Sequence, residues 1–429
     1  MKKSKAYRTT RVKDVRWERV VSGREGQAVH VGLDMSKEDV VVVLRWGPND
    51  FERPWQVDNP MEVGRLVELL SDLGRGRQMV VALEPTGTYG DPLRQALSDG
   101  GLAVHRVSPK ASHDYAEVFD GVPSQHDGKD AAIVAELAAL GKSSPWPFAS
   151  SAWDQELTYW VDWMDAERRS LVIWCGRLEG LLARHWPEAT RSLELNSGVL
   201  LRCLAEYGSP SALAADGEAA ARLERWGRGH LSRHKAEELL AAARRSVGVR
   251  CQEADVRRLR QYAEQALACR RELARSQQEL KRLAAEHPVI QAQAAAAGVV
   301  TACVLWVHLG DPRQYDSAPA YRKAMGLNLA ERSSGKWHGR LMITKRGPSQ
   351  VRRWLYFAAL RLVKQAGVKQ WYEAKRAKKA ENGSAVMRAL VGVMRRLALA
   401  LYRVGASGER FDAAKLFPGT RSLTAAARV

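Results

Sequence analysis

Four acidic residues stand where their carboxylates could share metal ions. Asp34 and Glu84 each end an apolar run typical of a buried strand, and Asp127 and Asp130 open a predicted helix three residues apart. That spacing places the last two on one side of the helix. Carboxylate oxygens suit Mg²⁺ or Mn²⁺, and two such ions about 4 Å apart stabilise the attacking and leaving oxygens at phosphorus. We therefore predict a metal-dependent phosphoryl-transfer site in which all four acids are metal ligands and catalytic residues.

Each acid also has a purely structural interpretation. Asp34 could form a strand-end turn, Glu84 could lie on the surface, and Asp127 could cap a helix. Any one of these residues alone would favour that interpretation. The four together favour the metal site, because closely packed carboxylates repel one another unless cations neutralise them.

The elements that must position the acids alternate between strand and helix patterns. Strands are predicted at 29–34, 39–46, 51–57, 79–83 and 103–107, with helices opening at Pro60, around Leu93 and near Gly128. Three strands, helix, strand, helix, strand is the order of an α/β ribonuclease-H-like (RuvC-like) domain. In that fold the four acidic positions converge at one edge of the sheet.

The rest of the chain is predicted to be mostly helical. We divide it into a flexible basic arm (1–28), the RuvC-like domain (29–150), a helical linker (151–288), a mostly α-helical C-terminal domain (289–412) and a tail (413–429). In the linker, Leu259, Ala266, Leu273 and Leu280 repeat every seven residues. This heptad pattern fits a coiled coil and an intramolecular helical hairpin equally well.

The charge of the chain favours a polyanionic partner. The formal net charge is +19 and the pI is about 9.9. Between Lys336 and Arg403 there are 17 Lys and Arg residues against two acids, with aromatic residues interleaved, which favours nucleic-acid binding over a solvated face. The candidate contacts are Lys336, Arg340, Lys345, Arg346, Arg352, Arg353, Arg395 and Arg396. Lys129 and Lys345 are further interpreted as phosphate-binding residues.

Other classes of protein are disfavoured. The five cysteines are scattered without a CxxC pair, which argues against a zinc site or a disulfide framework. The chain has no run of 18 apolar residues, and no apolar stretch follows its charged N-terminus, so we expect neither a membrane span nor a signal peptide. A cytoplasmic, nucleoid-associated location is the expectation.

Three acidic motifs and a downstream loop resemble the DEDD transposases of bacterial insertion sequences, the recombinases guided by a bridge RNA. The acidic motifs are His30-Val-Gly-Leu-Asp34, Leu83-Glu84-Pro-Thr-Gly87 and Asp127-Gly-Lys-Asp130-Ala131. The second half adds Tyr321 to Leu327, then Ser334-Gly335, Ile343 to Gly347 and Arg352-Arg353. The order and spacing of these motifs carry the resemblance, which covers about 30–140 and 290–412.

The resemblance implies a transposase-recombinase with a nucleophilic serine. The serine before the glycine maps onto Ser334, with Ser333 as the alternative, and a phosphoserine link would let strands be rejoined without ATP. It also implies donor and target DNA, a non-coding bridge RNA and a homo-oligomer, a dimer of dimers. Without the resemblance, Ser333-Ser334-Gly335 is an ordinary turn. Two alternatives stay open: a metal-only nuclease or junction resolvase that uses water, and a non-catalytic nucleic-acid-binding protein.

Overall fold

The chain forms two compact units, residues 1–151 and 152–429, in a computed structural model. The structure describes residues 8–85, 87–121, 126–146, 148, 151–331, 341–377 and 385–417. Within those ranges, none of the helices combines the length and the hydropathy that crossing a bilayer requires.

The first unit is built on one mixed sheet. Along the sheet the strands run in the order β1-β5-β3-β2-β6-β7-β8, with β4 paired to β3. β2 is antiparallel to β3 and parallel to β6, and β6 is parallel to β7. The strands are β1 (Thr10–Arg11), β2 (Val29–Met35), β3 (Asp39–Gly47), β4 (Asp50–Phe51), β5 (Trp55–Asp58), β6 (Met79–Leu83), β7 (Val104–Val107) and β8 (Ser143–Pro145).

Helices cover both faces of this sheet. α2 presents Leu66, Leu70 and Leu73 to the same core as β2 and β3, and α5 packs its alanines against the valines of β3 on the other face. β3 is therefore apolar on both sides, which explains its unbroken run of valines. The helices are α1 (Trp17–Val21), α2 (Val63–Gly74), α3 (Asp91–Asp99), α4 (Pro109–Asp120) and α5 (Asp127–Ala139).

The order of strands and helices agrees with the alternation predicted from the sequence, with local differences. The predicted strand at 51–57 is interrupted before Trp55, because Pro54 lacks the amide that a ladder needs. The segment predicted to be a flexible arm is partly folded. Its strand β1 pairs with β5, and Val12 and Val20 are buried in the core, because these apolar residues have a sheet edge to pack against.

The second unit is almost entirely helical in its described part. Its helices are α6 (Ala152–His185), α7 (Ala189–Ser192), α8 (Gly198–Tyr207), α9 (Pro210–Ala215), α10 (Ala219–Gly227), α11 (Arg233–Arg244), α12 (Glu253–Ala285), α13 (Pro288–Ala297), α14 (Val299–Leu309), α15 (Ala318–Ala324), α16 (Ser349–Leu362), α17 (Ala366–Ala377), α18 (Ala385–Ser407) and α19 (Ala413–Leu416). A short antiparallel hairpin joins β9 (Leu329–Ala330) to β10 (Met342–Ile343).

The heptad pattern is buried inside the chain. Leu259 and Ala266 lie in a core shared with α6 and α8, and Leu280 lies in a core shared with α6 and α14. Polar contacts also join the two long helices: Arg282 pairs with Glu156 at 2.6 Å. The seam of α12 thus packs against its own chain, which fits the helical hairpin rather than a coiled coil along this seam.

The segment that carries the short helices α7 to α11 connects α6 to α12, and its two ends meet at one point. The amide of Val249 donates to the carbonyl of Arg184 at 2.9 Å, and the ring Nδ1 of His185 lies 2.8 Å from the carbonyl of Val249. A Cβ atom on Gly248 would lie 2.1 Å from the carbonyl oxygen of His185. The crossing is therefore too tight for any residue but glycine at that position.

Candidate active site

The four acids predicted to form one site come from three elements of the first unit. Asp34 is the second-to-last residue of β2, and Glu84 directly follows β6. The two strands are parallel with Leu33 paired to Leu83, so these two acids occupy neighbouring positions at the carboxyl ends of adjacent strands. Asp127 and Asp130 occupy the first turn of α5.

The first turn of α5 suits negative charge. Helix N-termini carry unpaired amides and a partial positive charge that favours carboxylates. The helix begins at Asp127, and His126 is its N-cap residue, with extended backbone and no side-chain capping bond. The N-cap role considered for Asp127 therefore belongs to the preceding residue, and Asp127 is already helical.

The electrostatics show that the four acids act on one another. The pKa of Asp34 is raised to about 6, first by burial and then by the charges of Asp130, Asp127 and Glu84, in that order. Burial also raises the pKa of Asp130, followed by the charges of Glu84 and Asp127. Since like charges raise carboxylate pKa values only at short range, the fold gathers the predicted set into one cluster.

The cluster is not a closed metal cage. In the described part of the chain, no group of three or more His, Cys, Asp or Glu side chains is arranged so that it could hold a metal ion. Its chemical composition nevertheless fits a hard divalent cation, because all four side chains offer carboxylate oxygens and the set carries excess negative charge. The fold places these donors in one neighbourhood of the first unit.

A close contact between β2 and α5 sets the position of the acidic helix. A Cβ atom on Gly32 would lie 1.9 Å from the carbonyl oxygen of Ala131 and 2.6 Å from the amide of Ala135. Farther along, the guanidinium of Arg45 on β3 makes two contacts with the carboxylate of Glu136, one of them 3.3 Å from Nη2 to Oε1. These contacts hold α5 against the strand that carries Asp34. Gly32 was not singled out in the sequence, although a glycine inside a strand signals close backbone approach.

Lys129 does not lie on a nucleic-acid surface. It is fully buried, and its Nζ lies 2.6 Å from Oδ1 of Asp120 at the end of α4. The phosphate-binding role predicted for this residue is wrong, because α4 packs against the side of α5 that carries Lys129. Lys129 instead ties the first turn of α5 to α4.

Replacing Lys129 with methionine is expected to lower the free energy of unfolding by about 2–3 kcal/mol, because breaking a buried ion pair leaves a carboxylate without its cation. Urea unfolding of the full chain measures this change. Lys110→Met is the matched control: Lys110 lies on α4 in an exposed pair with Asp114 at 2.8 Å, and such pairs contribute at most about 1 kcal/mol. Equal losses in the two variants would contradict the structural role of Lys129.

The predicted nucleophile lies outside the described residues, as do Ser333, Lys336 and Arg340. The structure does describe the strands on either side, where Ala330 pairs with Met342. Beyond the hairpin, Lys345 and Arg346 are exposed, consistent with contacts to nucleic acid. The amide of Lys345 donates to the carbonyl of Gly326 at 3.0 Å. This bond holds the segment after β10 against the turn that follows α15.

The four remaining arginine candidates fall into two pairs. Arg352 and Arg395 are half-buried, and each donates to backbone carbonyls. Arg353 is paired with the buried carboxylate of Asp165 at 3.1 Å, and Arg396 lies over the ring of Trp371 at 4.7 Å. Arg353 is thus paired with a carboxylate and Arg396 with an aromatic ring, whereas Arg352 and Arg395 contact backbone carbonyls and form no ion pair among the described residues.

Comparison with known proteins gives two family matches. A DEDD domain model of the IS110 type, described as "Transposase", matches residues 31–187, which include the four acids. A model described as "Transposase IS116/IS110/IS902 family" matches residues 293–375, which include Ser334. A search of curated proteins finds no match to the chain. The two transposase domain models match separate parts of the chain in this order, which supports a transposase of the IS110 type.

Proposed function

We propose that this transposase cuts and rejoins donor and target DNA through a Mg²⁺-dependent acidic site and a phosphoserine intermediate. The observation that carries the proposal is the four-carboxylate cluster at the carboxyl ends of β2 and β6, whose members raise the pKa values of Asp34 and Asp130. A structural role for these acids gives no reason to gather them where they repel one another. The sheet order β5-β3-β2-β6-β7 supports the ribonuclease-H-like assignment.

Asp34, Glu84, Asp127 and Asp130 are the residues that would hold Mg²⁺ or Mn²⁺. When bound, the metal supplies charge stabilisation at the attacking and leaving oxygens of the phosphate. The protein supplies the rest of the arrangement. Two parallel strands hold Asp34 and Glu84 side by side, and the Gly32 contact fixes the height of α5 and its two aspartates above them.

Ser334 is the proposed nucleophile, with Ser333 as the alternative. Its Oγ would lose a proton and form a bond to phosphorus while one P–O bond of the strand breaks and the departing oxygen takes a proton. Attack on the phosphoserine by the hydroxyl of a second strand reverses the step, so the phosphodiester is restored without ATP. Lys345 and Arg346, which are exposed and lie just after β10, favour the approach of a phosphate.

A non-coding bridge RNA is proposed to select donor and target, and a dimer of dimers is the proposed working form. Both proposals derive from the resemblance to RNA-guided recombinases. The 17 basic residues against two acids between Lys336 and Arg403 support contact of this segment with nucleic acid.

A covalent-trapping assay tests the proposal. The chain is mixed with its element's non-coding RNA, end-labelled donor and target DNA and Mg²⁺, then quenched in denaturant and separated on a denaturing gel. A labelled band shifted by the mass of the protein is expected for the wild type and for Ser333→Ala, and its complete loss for Ser334→Ala, since alanine has no hydroxyl to form the ester.

The alternative outcomes assign the alternative functions. Free cleaved DNA that is unaffected by Ser334→Ala would mean that water is the nucleophile, as in a metal-only nuclease or resolvase. A shifted band lost in Ser333→Ala would move the nucleophile by one residue. Binding of the nucleic acids without any Mg²⁺-dependent cleavage would leave a non-catalytic binding protein.

A further inference from the structure

Arginines converge on the turn at the foot of the β9–β10 hairpin, which we call the hairpin foot (Gly326–Asn328 with Thr344–Gly347). Arg352 Nη1 donates to the carbonyl of Gly347 at 2.6 Å, and a Cβ atom on Gly326 would lie 2.8 Å from the same nitrogen. From the other side, Arg395 Nε donates to the carbonyl of Leu327 at 3.0 Å. Two guanidinium groups thus hold the backbone of one tight turn.

A third arginine adds to the positive charge. Arg322 on α15 lies close enough that its charge lowers the pKa of Arg395, after the larger effect of burial. Its Nε is buried without a hydrogen-bond partner. Burial also lowers the pKa of Arg352. Three half-buried cations therefore surround the hairpin foot.

No carboxylate compensates this charge in the part of the chain that the structure describes. Arg322, Arg352 and Arg395 form no ion pair there, whereas Arg353, on the next position of α16, pairs with Asp165. Half-buried charges are costly unless they are paired. A folded protein that leaves three of them together without an acid has a place for an anion.

The geometry of guanidinium groups indicates which anion. Each group offers five N–H donors in a fixed plane, and the carbonyl contacts use only one nitrogen of each of Arg352 and Arg395. The remaining donors match the oxygens of a phosphate, which accepts paired bonds from arginine. Gly326 and Gly347 let the two sides of the turn pack backbone against backbone, because a Cβ atom on either would collide with neighbouring protein atoms.

We propose that Arg322, Arg352 and Arg395 form one binding site for a phosphodiester group of a DNA strand at the hairpin foot. The proposal rests on the proposed function for its choice of DNA, and it separates these residues from Arg353 and Arg396, whose guanidinium groups serve the fold. In the sequence, β9 and β10 flank the segment that carries Ser334. A phosphate held here would fix the register of a strand next to that segment.

DNA binding without turnover tests the proposal. Affinity of the full chain for a labelled 20-base-pair duplex is measured by fluorescence anisotropy over a series of salt concentrations, with Mg²⁺ omitted. Arg322→Gln is expected to weaken binding about tenfold and to reduce the slope of log affinity against log salt by about 0.9, the value for one phosphate contact. Arg233→Gln is the control, since it removes one exposed charge from a pair with Glu237 at 3.0 Å and should leave the slope unchanged.

Thermal melting separates binding from a structural role. Because Arg322 is a half-buried cation beside another cation, Arg322→Gln should melt at or above the wild-type temperature. A lower melting temperature with an unchanged salt slope would overturn the proposal, as would weakened binding to an RNA of the same length with DNA binding intact. A wild-type chain that binds the duplex but never cleaves it would count against the proposed function and leave this site standing.

Discussion

Gly32→Ala is expected to slow DNA cleavage about 100-fold and to destabilise the first unit by about 3 kcal/mol or more, at or beyond the upper end for overpacked cores. The added Cβ would lie 1.9 Å from one backbone atom of α5 and 2.6 Å from another, so no side-chain rotation can relieve the collision. The helix must move away by more than about 1 Å, and such a displacement of catalytic groups costs about 100-fold in rate. Urea unfolding and a strand-cleavage assay measure the two effects.

Gly64→Ala provides the matched control for that variant. Gly64 lies in α2 of the same unit, and a Cβ atom there would meet nothing within 4 Å. Alanine should raise helix stability by up to about 1 kcal/mol and leave cleavage unchanged. Equal behaviour of the two glycine variants would show that α5 does not approach β2 as closely as the structure has it.

Asp34→Asn is expected to abolish cleavage while stabilising the fold at neutral pH. The pKa of Asp34 is raised from its ordinary value of 3.8 to about 6, first by burial and then by the neighbouring acids. The protonated form is thus favoured by folding. The stability that protonated Asp34 contributes to the folded state is fully present below pH 3.8 and is lost as the pH rises through 6. Above that pH, ionisation of Asp34 lowers the free energy of unfolding by at most about 3 kcal/mol. Asparagine cannot ionise, so this cost disappears.

Melting curves between pH 3.5 and 8 measure the effect. The variant should match the wild type near pH 3.5 and melt at a higher temperature at pH 7.5, and Mg²⁺ should stabilise the wild type alone. Asp50→Asn is a control that should lower the melting temperature at pH 7.5. The hydrogen bond from Arg24 lowers the pKa of Asp50, so ionised Asp50 stabilises the fold. A variant at position 34 that melts lower at pH 7.5, or still cleaves, would rule out a strained carboxylate cluster.

The first unit was largely predictable because its signals are local. Unbroken valines in β3 and apolar runs ending at Asp34 and Glu84 identify buried strands, and their carboxyl ends meet at one sheet edge. The Gly32 contact was not predictable in that way, since it depends on which helix crosses the strand. The inward direction of Lys129 likewise follows from the packing of α4 against α5, which residue type and spacing do not specify.

Predictions from charge alone were less discriminating. Arg352 and Arg353 are adjacent and identical in type, yet one contacts the hairpin foot and the other pairs with Asp165 from α6, nearly 190 positions away in the sequence. Arg322 carried no signal of its own in the sequence, because the proposal for it depends on its having no ion pair within the described ranges of the chain. The heptad in α12 predicted an apolar seam correctly, and only the fold could assign its partner.

The crossing at His185 and Val249 has a consequence for how the second unit comes apart. Because α7 to α11 begin and end at the same point, their ends are held together by the crossing and not by the intervening chain. A protease cut in the exposed turn at Arg228–Gly229 would leave both fragments anchored to the long helices. Since α8 also shares a core with α6 and α12, the two fragments are expected to stay associated after the cut.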